Sequence, residues 1–376
     1  MKIISITIHD VRYSEPNFGN RLQSYATKYI LKSLGNHMNF AQICYEQTRE
    51  SLKNDAKYVV NYLTSFKFTM NKDYWLKYGR SKAFANFEKK YMTYVHCTSI
   101  EQIPTADKYC VGSDQVWNAK WYEKDGIKKD LFLLTFAKPE QKICISPSFG
   151  TDSIPDEWKD WFKQHLATFP LLAVREESGA RIIKELTGRD AEVLIDPTLM
   201  LDAEDWRKIT RPNKKVSRKK PYIFTYFLGG VTAQAQADID VLNKDGRYNV
   251  YHAMDMNNID LYAMDPGQFV YMIEHADIIL TDSFHACVFS FLFDKPFLVY
   301  SREGAENNMF SRMETLFIKF DLARKYRQNG IELDVANVFE HDYSAGKAAL
   351  GRERSKFSSY LKNCLKMGQE NEDRTN

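Results

Sequence analysis

The sequence predicts an α/β protein built from two units, each a parallel sheet with helices on both faces. Short β-prone runs alternate with helical ones along most of the chain, a rhythm that produces parallel strands joined by crossovers. The 376 residues exceed what one ordinary core accommodates and suit two units. Between them, Arg211 to Pro221 holds six basic residues, two prolines and no apolar pattern, the composition of a solvated linker.

In chain order, Lys2 to Ile8 alternates as a strand. A turn through Asn17-Phe-Gly19-Asn20 then leads to a helix from Arg21 to Leu34 that Gly35 closes. Residues 49–92 are charged and aromatic at irregular helical spacings and read as a helical insertion capping the first unit. The rhythm resumes with strand Lys108 to Val111, a polar loop from Gly112 to Asn118, strand Gln141 to Ser146 and a helix from Pro155 to Thr168, with proline in its first turn. Strand Leu171 to Arg175, helix Gly179 to Leu186 and strand Glu192 to Ile195 complete a first unit over 1–210.

Past the 211–221 linker, a second unit over 222–330 offers strands Tyr222 to Phe227, Tyr248 to His252, Ile278 to Thr281 and Phe297 to Tyr300. Its helices lie near Ala233 to Asn243, Pro266 to His275 and Phe284 to Phe293. A tail over 331–376 carries a terminal helix from Ala345 to Met367 and ends in residues expected to be disordered.

Composition narrows the function. With 52 Lys and Arg against 49 Asp and Glu, the charge of +3 and the scattered aromatics argue against a nucleic-acid partner. The six cysteines, at 44, 97, 110, 144, 287 and 364, form no Cys-x-x-Cys pair and no zinc spacing, so they read as reduced structural thiols. No metal is expected. Without Gly-x-Gly-x-x-Gly or a Walker lysine, no NAD is expected either. The opening residues lack a signal-peptide core and no stretch approaches a membrane span, so a cytoplasmic protein is expected, with contact at the inner membrane face left open.

The most informative stretch is Thr281-Asp-Ser-Phe-His285, where a buried strand hands over to a helix. Open α/β sheets bind ligands beyond the carboxyl ends of their strands, and the first N–H groups of the following helix attract anions. His285 stands at that junction.

Five segments, in order, resemble the polysaccharide pyruvyl transferase family. They are Asn17-Phe-Gly-Asn-Arg-Leu-Gln23, Val111-Gly-Ser-Asp-Gln-Val-Trp-Asn118, Ala173-Val-Arg-Glu-Glu-Ser-Gly179, Asp196-Pro-Thr-Leu-Met-Leu201, and Thr281 to His285 with Lys295-Pro-Phe297. The resemblance implies a GT-B-like fold, two Rossmann-like domains facing across a cleft. It also implies transfer of pyruvate from phosphoenolpyruvate, as donor substrate, onto a sugar of a surface-polysaccharide or lipid-linked glycan precursor, usually as a ketal.

On that reading His285 is a general acid/base or a ligand of the donor phosphate, since imidazole serves either role near neutral pH. A buried structural histidine is the alternative. Arg175, at a strand end, is the first candidate for gripping the anionic donor, against a plain ion pair with Glu176 or Glu177. Asp114 either takes a proton from the acceptor or bonds its own turn. Some relatives carry an arginine two residues before the histidine, where this chain has Ser283, so either Lys295, Arg302 or Arg312 compensates in holding the donor, or the donor differs. For the acceptor, Gly19, Asn20 and Gln23 lie at the first helix, His9 at the end of the first strand, and Trp117 stacks on a sugar or packs the core. Two rival functions remain: a GT-B-like glycosyltransferase using a nucleotide sugar, and a non-catalytic glycan-binding or assembly protein.

Overall fold

The computed structural model describes residues 1–9, 16–34, 39–45, 72–122, 126, 128–217, 219–302 and 310–366. At 39–40, 44–45, 72–75, 121 and 310–312 it describes the backbone alone. Most of the 49–92 segment read as an insertion therefore lies outside the described residues; its end forms helix α2.

The first unit is a five-stranded parallel sheet in the order β3-β2-β1-β4-β5. Its strands are β1 (Lys2–Ile6), β2 (Asn39–Tyr45), β3 (Tyr94–Cys97), β4 (Lys108–Val111) and β5 (Lys142–Cys144). Register is fixed on the central strand, where Ile4 faces Ala41 on one side and Tyr109 on the other. Helices α1 (Phe18–Ser33), α2 (Lys72–Tyr91), α3 (Lys128–Phe132) and α4 (Asp156–Leu166) connect these strands or follow them. A parallel pair, β6 (Ala173–Val174) and β7 (Glu192–Val193), extends the unit around α5 (Glu177–Thr187), with α6 (Ala203–Arg207) after it.

The second unit is a four-stranded parallel sheet in the order β11-β10-β8-β9. It comprises β8 (Tyr222–Tyr226), α7 (Ala233–Leu242), β9 (Asn249–His252), α8 (Ile259–Tyr262), α9 (Pro266–His275), β10 (Ile278–Thr281), α10 (Phe284–Leu292) and β11 (Phe297–Val299). Thus the chain is α/β with two Rossmann-like units facing each other, GT-B-like. Helices α11 (Phe310–Phe320), α12 (Val335–Phe339) and α13 (Ser344–Lys366) follow.

Two features depart from the sequence reading, and a third extends it. Helix α1 begins at Phe18 because Asn17 is its cap, its side chain accepting from Gly19 N at 2.8 Å. Gly19 and Asn20 consequently lie in the first helical turn, and Asn20 is not the cap. Strands β2 and β3 have no counterpart in the sequence reading. The terminal helix α13 packs back on the first unit: Tyr360 Oη donates to Cys144 O at 3.0 Å, and Arg354 donates to Leu199 O and Leu201 O at 2.7 Å each.

Apolar packing joins the units where α1 meets α9. Phe18 is fully buried and stacks on Phe269 with centroids 4.3 Å apart, its edge toward Tyr226. Burying such a ring contributes about 2–3 kcal/mol. Buried Arg80 adds a polar tie. From α2 it donates to Tyr262 O of the second unit at 2.7 Å and to Pro16 O, just ahead of α1, at 2.8 Å, with its guanidinium 4.5 Å from the Phe18 ring centroid. The segment read as a linker is fastened to the second unit, where Asn213 donates to Asp260 O at 2.8 Å and Arg211 Nε bonds Asp265 at 2.5 Å.

Candidate active site

At the carboxyl end of β10 the chain turns through Asp282 and Ser283 into α10, placing His285 in the first helical turn. The residue is 7% exposed. One side of its ring lies against the first turn of α1, so closely that a Cβ built on Gly19 would stand 2.0 Å from His285 Nδ1. No other residue type fits at 19 without displacing the imidazole. On the other side, Nε2 lies 3.9 Å from Asp196 Oδ2.

Asp196 stands after β7, wholly buried, as the cap of the short turn Pro197–Leu199. Its Oδ1 accepts from Thr198 N at 3.0 Å and Thr198 Oγ1 at 2.7 Å; its Oδ2 accepts from Arg175 Nη1 at 2.7 Å and Ser113 Oγ at 3.2 Å. Burial works to raise this carboxyl, but the adjacent His285 and Arg175 and the Thr198 bonds outweigh it and hold Asp196 below the usual carboxylate range.

Arg175 follows β6 and is also buried. Besides Asp196 it reaches Asp114 Oδ1 at 3.5 Å, has Glu176 Oε2 at 3.9 Å from Nε, and lies 4.8 Å from the Phe284 ring centroid of the second unit. Burial disfavours its charge, yet Asp196, Asp114 and Glu176 raise it above the ordinary arginine value. The partner foreseen among Glu176 and Glu177 is therefore a minor one. The guanidinium sits among three carboxylates, so this spot is not an uncompensated anion hole.

Asp114 sits in the left-handed region at φ 67°, and its carboxylate both accepts from Gln115 N at 2.9 Å and meets Arg175. The loop that carries it is shaped by Gly112, at φ 110°, where a Cβ would come within 2.2 Å of Ile145 O.

Not every expected residue reaches this cluster. Trp117 is wholly buried, donates from Nε1 to Phe132 O at 2.9 Å and packs on Phe149 and Phe169, so it offers no face to a sugar. Gln23 is equally buried and ties β1 to the Asp114 loop, donating to Thr7 Oγ1 at 2.7 Å and accepting from Ser113 N at 3.1 Å. It positions the loop and is not open to an acceptor.

Lys295 lies beyond the far end of α10, about 13 Å of helix away from His285, at the opposite edge of the sheet. It cannot compensate for Ser283. Arg302 is better placed: after β11, its Nε bonds Asp282 Oδ2 at 2.9 Å and its Nη2 lies 3.4 Å from Asp282 O, directly beside Ser283. Ser283 itself is buried, with its N–H on Thr281 Oγ1 at 3.0 Å and no cap bond from its side chain. Arg312 falls in the first turn of α11, and its side chain lies outside the described residues. That helix does approach the cluster, since Glu177 N reaches Thr315 Oγ1 at 3.4 Å.

His9 belongs to a separate buried group, with Nε2 3.3 Å from Glu88 Oε1 and its ring edge-on to Tyr94, while Arg21 bonds the same carboxylate. Burial works to raise Glu88, but the hydrogen bond from His9 and the charge of Arg21 prevail and keep it below its ordinary value. A depressed carboxyl stabilises the fold above the unfolded-state value, and that stability is lost as pH falls through the folded-state value. Thermal midpoints measured downward from about pH 5 should therefore fall, and fall less steeply in Glu88→Gln; parallel curves would remove Glu88 from the linkage.

Asp196 is the residue that reasoning on single positions missed. Its signal was present in the Asp-Pro-Thr run after a strand, a capping pattern that leaves one carboxylate oxygen facing away from the cap. Among the described residues no cluster of three or more His, Cys, Asp or Glu has a metal-holding arrangement, and no helix is long and apolar enough to cross a membrane.

No curated protein matches the chain. Solved structures similar to it include UDP-GlcNAc 2-epimerase from Neisseria meningitidis, at 12% identity over 96% of this chain and 100% of that one, with TM-score 0.47. The glycosyltransferase SnogD from Streptomyces nogalater shows 11% identity over 97% and 98%, TM-score 0.42. MurG from Acinetobacter baumannii shows 7% over 98% and 99%, TM-score 0.43. The family model for polysaccharide pyruvyl transferases matches residues 17–304, a span that opens on the cap of α1 and takes in every member of the Arg175–Asp196–His285 cluster. The chain belongs to that family of transferases.

Proposed function

We propose that the protein transfers pyruvate from phosphoenolpyruvate onto a sugar of a surface-polysaccharide or lipid-linked glycan precursor, forming a ketal across two hydroxyls. The observation that carries this reading is the convergence of Arg175 and Asp196 from one unit with His285 from the other, inside the span that matches the family.

The reaction divides among these residues as follows. His285 gives a proton to the methylene carbon of the donor, and positive charge develops at the central carbon. The carboxylates of Asp114, Asp196 and Glu176 stand around Arg175 in this cluster, and fixed negative charge close to such a cation stabilises it. One sugar hydroxyl adds to the central carbon, with Asp114 accepting its proton. The second hydroxyl then replaces phosphate, which leaves with the bonding electron pair and takes up that hydroxyl's proton, while the proton on Asp114 passes to solvent and His285 regains one from it. One donor and one diol thus become one ketal and one inorganic phosphate.

Arg302, beside Ser283, is the cation we assign to the anionic end of the donor, taking the part of the arginine that some relatives carry at that turn. Arg175 acts within the acidic cluster instead.

The test is an assay of phosphate release from phosphoenolpyruvate against a panel of glycan diols, with the acceptor mass followed in parallel. Phosphate release matched by addition of one pyruvyl group supports the proposal. Glycosyl transfer from UDP- or CMP-sugars, with phosphoenolpyruvate inert, overturns it in favour of a glycosyltransferase.

A further inference from the structure

Asp196 bridges the two units at the candidate site, through Arg175 on one side and His285 on the other. It is wholly buried, and its four acceptor positions are divided in a telling way. Oδ1 is occupied by its own turn, through Thr198 N and Thr198 Oγ1. Oδ2 is turned inward and receives Arg175 and Ser113 from two other loops of the first unit. The same oxygen faces His285 Nε2 of the second unit at 3.9 Å. A fixed cap at one oxygen leaves the other with no freedom to turn away.

We propose that Asp196 is a positioning residue that orients the His285 imidazole from across the unit boundary and sustains its protonated form, the form that protonates the methylene carbon of the enolpyruvyl donor. This rests on the function proposed above.

Two constraints act on the ring from opposite sides. Gly19 supplies a flat backing at Nδ1, with room for hydrogen but not for a Cβ. Asp196 supplies negative charge at Nε2. At 3.9 Å the pair is longer than a hydrogen bond, so the coupling in this arrangement is through charge, which in a buried setting is screened far less than in water. Among the described residues, other charged groups at the cluster are Asp114 after β4 and Arg175 and Glu176 after β6. Arg175 repels an imidazolium, while Asp114 and Glu176 attract it at longer range. Removing the Asp196 charge takes away the anion at 3.9 Å from Nε2 and leaves the Arg175 cation that was paired with it, so the protonated ring loses support.

A role of this kind is separable from a structural one. The first readout needs no donor: the titration of the His285 ring followed by nitrogen-15 NMR in the whole protein, with its signal assigned by loss in His285→Gln. In Asp196→Asn, which keeps the Thr198 bonds, the midpoint should move to lower pH. Thr198→Val, which loosens the cap without removing a charge, should move it the same way by less, and serves if the asparagine variant does not fold.

The second readout is the pH profile with phosphoenolpyruvate. The alkaline limb, where a required acid loses its proton, should shift to lower pH in Asp196→Asn, with kcat down about 100-fold and KM for phosphoenolpyruvate within about threefold of wild type. Asp196→Glu, which retains the charge, should hold the limb near its wild-type position even with reduced kcat. Folded Asp196→Asn and Thr198→Val proteins with an unmoved His285 midpoint overturn the positioning role. Wild-type inertness toward phosphoenolpyruvate, with the NMR shift present, would instead overturn the assigned reaction and leave the Asp196–His285 coupling standing.

Discussion

Replacing His285 with glutamine should reduce pyruvyl transfer at least 100-fold while leaving the thermal midpoint close to that of wild type. The expectation follows from where the ring sits. It is the titratable group at the N-terminal end of α10, it meets α1 across the unit boundary, and the acidic cluster lies on its other side. A positioned general acid contributes about 10²- to 10⁴-fold, and glutamine has no proton to give at neutral pH. Glutamine keeps a polar side chain of similar length, so the contact with Gly19 is roughly retained. A buried histidine with a purely structural role would give the reverse pattern, a lowered midpoint with transfer little changed.

Arg175→Ala should act first on stability, and this is a departure from what the sequence alone suggests. A strand-end arginine in an α/β protein reads as a hand reaching for an anionic ligand, and its removal would then weaken donor binding in an otherwise sound protein. Here the guanidinium is buried between Asp196 and Asp114, with Glu176 and the Phe284 ring beside it. Taking it away removes the buried guanidinium that Asp196 and Asp114 share, and breaking a buried pair costs about 3–5 kcal/mol in comparable cases. Chemical denaturation should show a loss of that order in Arg175→Ala. Arg175→Lys keeps a charge but loses the fork that reaches two carboxylates, so its loss should be smaller. Wild-type stability in Arg175→Ala, with only donor affinity reduced, would restore the sequence-based view.

The contrast shows which parts of the molecule a sequence reveals. The short apolar runs place all four strands of the second unit and β1, β4 and β5 of the first, because a strand buried on both faces must be apolar throughout. Strands β2 and β3 are hidden by polar residues such as Gln42 and His96, and β3 also follows a long charged stretch.

The turn into α1 was misplaced by three residues for a local reason: Asn17 caps the helix, whereas Gly19 and Asn20 look like turn formers when read singly. Gly19 permits a close approach of the backbone, and what lies against it is the His285 ring of the other unit, a pairing no local pattern encodes.

Residue types also misled where burial decides their use. Trp117 and Gln23 have the chemistry of sugar-binding side chains, yet both are committed to the interior of the first unit. Lys295 stands close to His285 in sequence order but at the other end of a helix. Arg302, farther along the chain, returns to the same edge of the sheet because β11 runs parallel to β10. Asp196 is the converse case, a capping residue whose second oxygen serves three partners that the sequence scatters over more than a hundred positions.

The measurement that bears most directly on the account is calorimetric titration of the whole protein with phosphoenolpyruvate, alongside UDP- and CMP-sugars, on wild type and on Arg302→Ala. The account predicts saturable binding of phosphoenolpyruvate that weakens at least tenfold in Arg302→Ala, and no saturable binding of the nucleotide sugars. Binding of a nucleotide sugar, with phosphoenolpyruvate giving no heat at any concentration, would contradict it.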